Sequence, residues 1–122
     1  PGGEGVVIAR VWRGMTRLRD AAEYDAFLQA RGFADYQATH GNQGAILLKR
    51  LSDETAEFVL ISFWKDFDSI RRFAGPDPGK AVYYPEDERF LLGKEPRVTH
   101  YELAGGALPA EILGRTEVSR IL

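Results

Sequence analysis

The fold turns on the stretch Val6–Met15, VVIARVWRGM. In an extended chain successive side chains alternate between faces, so Val7, Ala9 and Val11 point one way and Ile8, Arg10 and Trp12 the other. Both rows are largely apolar, and a strand apolar on both faces is covered on both faces. Downstream, Asp20 and Glu23 have the spacing of a capping box ahead of apolar Ala21, Tyr24, Phe27 and Leu28. Gly32 is expected to end that helix in the left-handed conformation. The stretch 33–44, FADYQATHGNQG, then reads as a polar-aromatic loop at a cavity rim. Ala45–Leu51 and Glu57–Lys65 read as two strands of an antiparallel hairpin, joined through the short polar run 52–55. Asp66 caps a second helix with Phe67, Ile70 and Phe73 as its inner stripe and Gly75 as its end. Pro85 opens a short helix, PEDERFLLG, and Arg97–Ala104 is a last strand.

The order β-α-β-β-α-β specifies an α+β, ferredoxin-like domain: a four-stranded antiparallel sheet with its helices on one face. Helices on one face leave the other bare, yet the strands are apolar on both. A homodimer in which two sheets face each other reconciles the two. The domain is expected to occupy residues 6–104, with 1–5 an appended or unstructured end. Gly105 and Gly106 hinge a C-terminal tail, 105–122, whose Leu108, Ile112, Leu113, Val118, Ile121 and Leu122 call for docking on the same subunit or its partner.

The 122 residues make one domain, 44% hydrophobic and 28% charged, which excludes a disordered chain. Sixteen Lys and Arg against 18 Asp and Glu leave a net charge of -2, which argues against nucleic acid or an anionic membrane as partner. No apolar run reaches the roughly 20 residues of a membrane span, and the start lacks a secretory pattern, so a soluble cytoplasmic protein is expected. With no Cys and only His40 and His100, thiolate chemistry and a multi-histidine metal site within one chain are excluded. No phosphate-cradling glycine turn, nucleophile elbow or zinc-helix motif occurs.

The residues left to carry chemistry are aromatic and ionisable. Trp64 closes the third strand, either as packing or as a flat wall for a planar ligand. His40 in the polar loop is either a surface residue or a base at a cavity rim. His100 shares a strand face with Glu102, whose carboxylate would raise its basicity; the alternative is a satisfied pair at the dimer seam. Arg10, on the face of Trp12, needs Glu102 or a ligand oxyanion as partner. Tyr36, Asn42, Tyr83 and Tyr84 complete the binding candidates. The acids Glu86, Asp87 and Glu88 read as a solvated first helical turn.

The strand VVIARVWRG, the loop THGNQGAILLKR, the junction FVLISFWKDFDSIRRFAG and the segments AVYYPEDERFLL and EPRVTHYEL together resemble the antibiotic biosynthesis monooxygenase family over residues 6–104. The resemblance implies a dimeric α/β barrel. It implies a cofactor-independent oxygenase, with no flavin and no metal, acting on anthrone- or quinol-like aromatics of polyketide pathways. There a deprotonated substrate itself reduces O2. It aligns Trp64, the pair Gly41-Asn42, and Tyr83 and Tyr84 with family positions, while His40 and His100 are base candidates by chemistry alone. A polyketide cyclase or isomerase on the same scaffold, or a non-catalytic dimeric ligand-binding module, are the alternatives. Haem-degrading relatives use a histidine after the Trp, and none lies between Lys65 and Val82.

Overall fold

The computed structural model describes residues 5–112. Its elements are β1 (Ile8–Arg17), α1 (Ala21–Phe27), α2 (Phe33–Gln37), β2 (Asn42–Leu51), β3 (Thr55–Trp64), α3 (Phe67–Ala74), α4 (Asp87–Phe90) and β4 (Thr99–Glu102). The strands pair antiparallel in the order β2-β3-β1-β4. With β3 between β1 and β2, this is the split βαβ, ferredoxin-like topology that the element order predicts.

Alternation along β1 and β3 builds the core. In β3, Ala56, Phe58, Leu60, Ser62 and Trp64 are all buried, and their intervening neighbours are half-buried. Register sets Trp12 opposite Leu60, Arg10 opposite Ser62 and His100, and Ile8 opposite Trp64 and Glu102, so these side chains share the helix-facing side. Tyr24, Leu28, Tyr36, Ile70 and Phe90 close over them from the helices. Gly14 is required by this packing: a Cβ there would lie 2.5 Å from Trp12 Cη2, because the indole folds back over the strand.

The other side of the sheet carries Val11 opposite Ile61, Ile46 opposite Ile61, Leu48 opposite Val59, and Ala9 between Phe63 and Tyr101. No helix of the described residues packs there, and Leu48 and Tyr101 are about half exposed. Charge enters this side at one end, where Glu57 pairs with Arg13 and Arg50.

Several local expectations change. Asp20 accepts no capping hydrogen bond, because a 3₁₀ turn at Leu18–Asp20 already holds its backbone in the helical region, whereas a capping residue needs an extended one. Gly32 is helical at φ -64° and does not stop the helix. A wide π turn, Leu28–Gly32, carries the chain into α2, so residues 33–37 are helix and not loop. Continuing buries Tyr36, and that apolar gain outweighs glycine's weak helix propensity. Asp66 does cap α3, accepting from Ser69 N–H at 2.8 Å, and Gly75 ends it at φ 98°. In α3, Phe67 is 40% exposed while Ser69 and Ile70 are buried. β4 is shorter than expected. Leu108 and Ile112 are exposed, and the tail from residue 113 onward, like residues 1–4, lies outside the described residues. No helix of the described residues is long and apolar enough to cross a membrane.

Candidate functional site

Between the helix-facing side of the sheet and the helices lies a cavity lined from three directions. The sheet contributes Arg10, Trp12 and Leu60; α1, α2 and α3 contribute Tyr24, Tyr36 and Phe73, with Leu28 and Gly32 from the π turn. The segment between α3 and α4 contributes Val82 and Tyr84, and α4 contributes Asp87. The cavity measures about 20 Å3, room for one water.

Arg10 is its most unusual member. The side chain is 1% exposed, and no carboxylate among the described residues pairs with it. Nη2 donates to the Lys80 carbonyl at 2.8 Å, the guanidinium stacks 5.4 Å from the Phe73 ring, and Nε has no hydrogen-bond partner. Burial pulls its pKa down from the ordinary value, with the nearby Tyr36 hydroxyl opposing. Arginine nevertheless stays charged in proteins. Trp12 Nε1 is a second buried donor without a partner. Each such group lacks a protein acceptor and is open to one supplied by a water or a ligand.

On the helical side of the cavity, Asp87 is 2% exposed. Its Oδ1 accepts from the Tyr24 hydroxyl at 2.8 Å and its Oδ2 from the Tyr84 backbone N–H at 2.6 Å. The Tyr84 hydroxyl donates to Asp35 Oδ2 at 2.5 Å. Burial, then the carboxylate each one bonds, pushes the phenols of Tyr24 and Tyr84 up. Tyr36 is raised by burial, with Arg10 acting against the shift.

Of the nine residues singled out from sequence, Arg10, Trp12, Tyr36 and Tyr84 meet in this cavity. Trp64 does not line it. Its indole is wholly buried behind the wall, edge-on to Tyr36 and tilted on Phe73, with Nε1 donating to Ser62 Oγ at 2.8 Å. His40 is exposed in the turn after α2, and only its carbonyl is engaged, by Arg72. Asn42 is a brace: Nδ2 donates to the Phe63 carbonyl and Oδ1 accepts from Gly44 N–H at the irregular start of β2. Gly41 beside it sits at φ 97° with Ser69 Oγ 1.8 Å from where a Cβ would be, so this pair serves packing. Tyr83 packs on Trp12 and donates to the Glu95 carbonyl.

His100 lies next to Arg10 on β4, edge-on to Phe67, with Nε2 buried and unpartnered. Glu102 does not raise its basicity: burial, then Arg10 and Arg97, lower its pKa. The sequence reading missed Tyr24 and Asp87 as polar members of the cavity. Asp87 is not solvated like its neighbours Glu86 and Glu88; it shares an inward i, i+3 stripe with Phe90, and that spacing was the available signal. Among the described residues no group of three or more His, Asp or Glu is placed to hold a metal ion.

No protein-family model matches the chain, and no curated protein sequence matches it. Solved structures do. A protein of unknown function from Nitrosomonas europaea superposes with a TM-score of 0.62 at 18% identity, covering 86% of this chain and 96% of that one. SnoaB, a cofactor-independent oxygenase from Streptomyces nogalater, gives 0.52 at 20% identity, covering 86% and 98%. A Bacillus cereus protein assigned as an antibiotic biosynthesis monooxygenase gives 0.52 at 8% identity, covering 85% and 98%. Strand order, helix placement and these superpositions agree that the chain has the ferredoxin-like fold of the antibiotic biosynthesis monooxygenases.

Proposed function

We propose that the cavity binds the anionic form of a planar aromatic molecule, an anthrone or quinol, and that the protein is a cofactor-independent oxygenase. Arg10 carries this reading. A buried guanidinium without a carboxylate costs free energy that an opposite charge restores, and a phenolate or enolate oxygen supplies it. Trp12, Tyr24, Tyr36, Phe73 and Tyr84 offer the faces and edges of rings to a flat ligand. Holding the anion is itself the catalytic help, since an electron-rich enolate reduces O2 directly. For an anthrone, the methylene carbon gives up four electrons. One oxygen atom becomes the new ring carbonyl and the other leaves as water, so no separate reductant enters. The fold likeness to SnoaB supports the same reading. A three-ring substrate exceeds this cavity, so binding one requires the lining side chains to move apart.

Oxygen uptake across a panel of anthrones and hydroquinones tests the proposal. Saturable uptake is expected, falling at least 100-fold in kcat/KM in Arg10→Gln with the fold intact. Uptake no faster than the spontaneous reaction overturns it, and turnover that proceeds equally without oxygen assigns an isomerase or cyclase instead.

The bare side of the sheet belongs to the same proposal. Its occupant is a second copy of the chain, because Val59, Ile61, Phe63, Ile46, Leu48 and Tyr101 form an apolar surface with charge confined to one end. A monomer mass by light scattering at micromolar concentration would overturn it.

A further inference from the structure

The polar groups of the cavity divide by wall. The sheet wall contributes Arg10 and Trp12, whose Nε and Nε1 are buried donors without a protein acceptor. The helical wall presents the carboxylate of Asp87, the one carboxylate among the lining residues. Tyr24 and Tyr84 each give that carboxylate one hydrogen bond, the second through its backbone N–H. A carboxylate oxygen has two acceptor sites, so each Asp87 oxygen keeps one free.

The other ionisable lining groups do not accept protons at neutral pH. Arg10 is a permanent cation. Tyr24, Tyr36 and Tyr84 are held protonated, by burial in every case and by the carboxylates they bond in two. Neither histidine lines the cavity.

We propose that Asp87 is the general base of this cavity, taking a proton from the substrate edge that faces the helices while negative charge collects on the substrate oxygen facing Arg10 and Trp12. The proposal rests on the anion-binding reading above and narrows its substrate class. The ligand is a planar aromatic ketone whose acidic hydrogen lies across the ring from its carbonyl. In an anthrone the methylene C–H breaks and its proton goes to an Asp87 oxygen. The C–H electron pair becomes a ring double bond, and the carbonyl π pair moves onto oxygen, where the two N–H donors receive it. Nothing is oxidised in this step. Tyr24 is a positioning residue, fixing the carboxylate through the 2.8 Å hydrogen bond.

Deuterium incorporation into the anthrone methylene, followed by mass spectrometry in D2O without oxygen, isolates this step from any oxygenation. The intact protein is expected to accelerate exchange over buffer. Asp87→Asn is expected to lower that acceleration at least 100-fold, with anthraquinone affinity by indole fluorescence held within threefold. Asp87→Glu, which returns a carboxylate, should recover at least a tenth. A folded Asp87→Asn protein exchanging at the wild-type rate overturns the proposal, as does wild-type exchange no faster than buffer. If Asp87→Asn does not fold, Tyr24→Phe decides: exchange kcat about tenfold lower at unchanged KM supports it, and unchanged kcat overturns it. Exchange lost in Asp87→Asn without any oxygen uptake leaves Asp87 standing and removes the oxygenase reading. Uptake that survives Asp87→Asn does the reverse.

Discussion

The two tryptophans sit on the same side of the same sheet and are both buried, yet their surroundings differ in one respect. Trp64 has its Nε1–H satisfied by Ser62 and its ring wedged against Tyr36 and Phe73. Trp12 has an Nε1–H without a protein acceptor, as does Arg10 at Nε two residues earlier on the strand, and both residues border the cavity. Aromatic content is therefore a poor guide to where a ligand goes in this protein, since both ends have it. Unfinished hydrogen bonding separates the two: the Trp64 end is complete as folded, and the Trp12–Arg10 end asks for an acceptor.

That contrast breaks first if the tryptophans are exchanged for smaller residues. Trp64→Ala should cost about 3–5 kcal/mol in denaturant unfolding, as large-to-small changes in a packed core do. Trp12→Phe should cost about 1.5 kcal/mol or less, since it also removes an unpaired donor, and should weaken ligand binding instead. Equal losses of stability at both sites would erase the distinction. Arg10→Met sharpens it at smaller amplitude. Replacing a buried charge that lacks a counter-ion with an apolar side chain should leave the unfolding midpoint unchanged or slightly raised while abolishing turnover. A drop of several kcal/mol would make Arg10 a structural residue.

The smallest effect is at His100, whose pKa is lowered in the folded protein by burial and by Arg10 and Arg97. The unfolded chain then binds a proton more readily than the folded one. Stability from this residue is full above the unfolded value near 6.5 and falls as pH drops below it, towards the lower folded value. Thermal melts between pH 7.5 and 5 should therefore show a shallower decline in His100→Gln than in the wild type. Identical slopes would mean that the ring feels no such burial.

The sheet order was legible because its punctuation is local: Asp66 as a cap, Gly75 as a stop, the 52–55 turn, and period-two burial in β3 each act within a few residues. Arg10, Trp12, Tyr36 and Tyr84 were legible as candidates because type alone marks a charge or an aromatic ring in an apolar context. Direction was not. His40, Asn42 and Tyr83 have suitable chemistry but spend it on solvent or on backbone groups that only the folded chain brings near. Asp87 was hidden by its neighbours, because an acidic run at the start of a helix already has a sufficient explanation in the helix dipole. Gly32 misled for a related reason: its usual role as a terminator is a local preference, and the burial of Tyr36 four residues later is not local.

The π turn at Leu28–Gly32 also makes chain length here an unequal commodity. Leu28, Gly32 and Tyr36 all reach the cavity across that one widened turn. A π turn already absorbs one residue more than an α turn and each residue advances a helix by about 100°, so one more residue between 28 and 32 would swing Tyr36 a quarter-turn or more off the cavity while leaving the helix intact. A residue added to the exposed hairpin turn at 52–55 would cost only a fraction of a kcal/mol in closure entropy. Insertions among descendants of this sequence should thus gather at the hairpin and spare the helix, a bias imposed by rotation and not by stability.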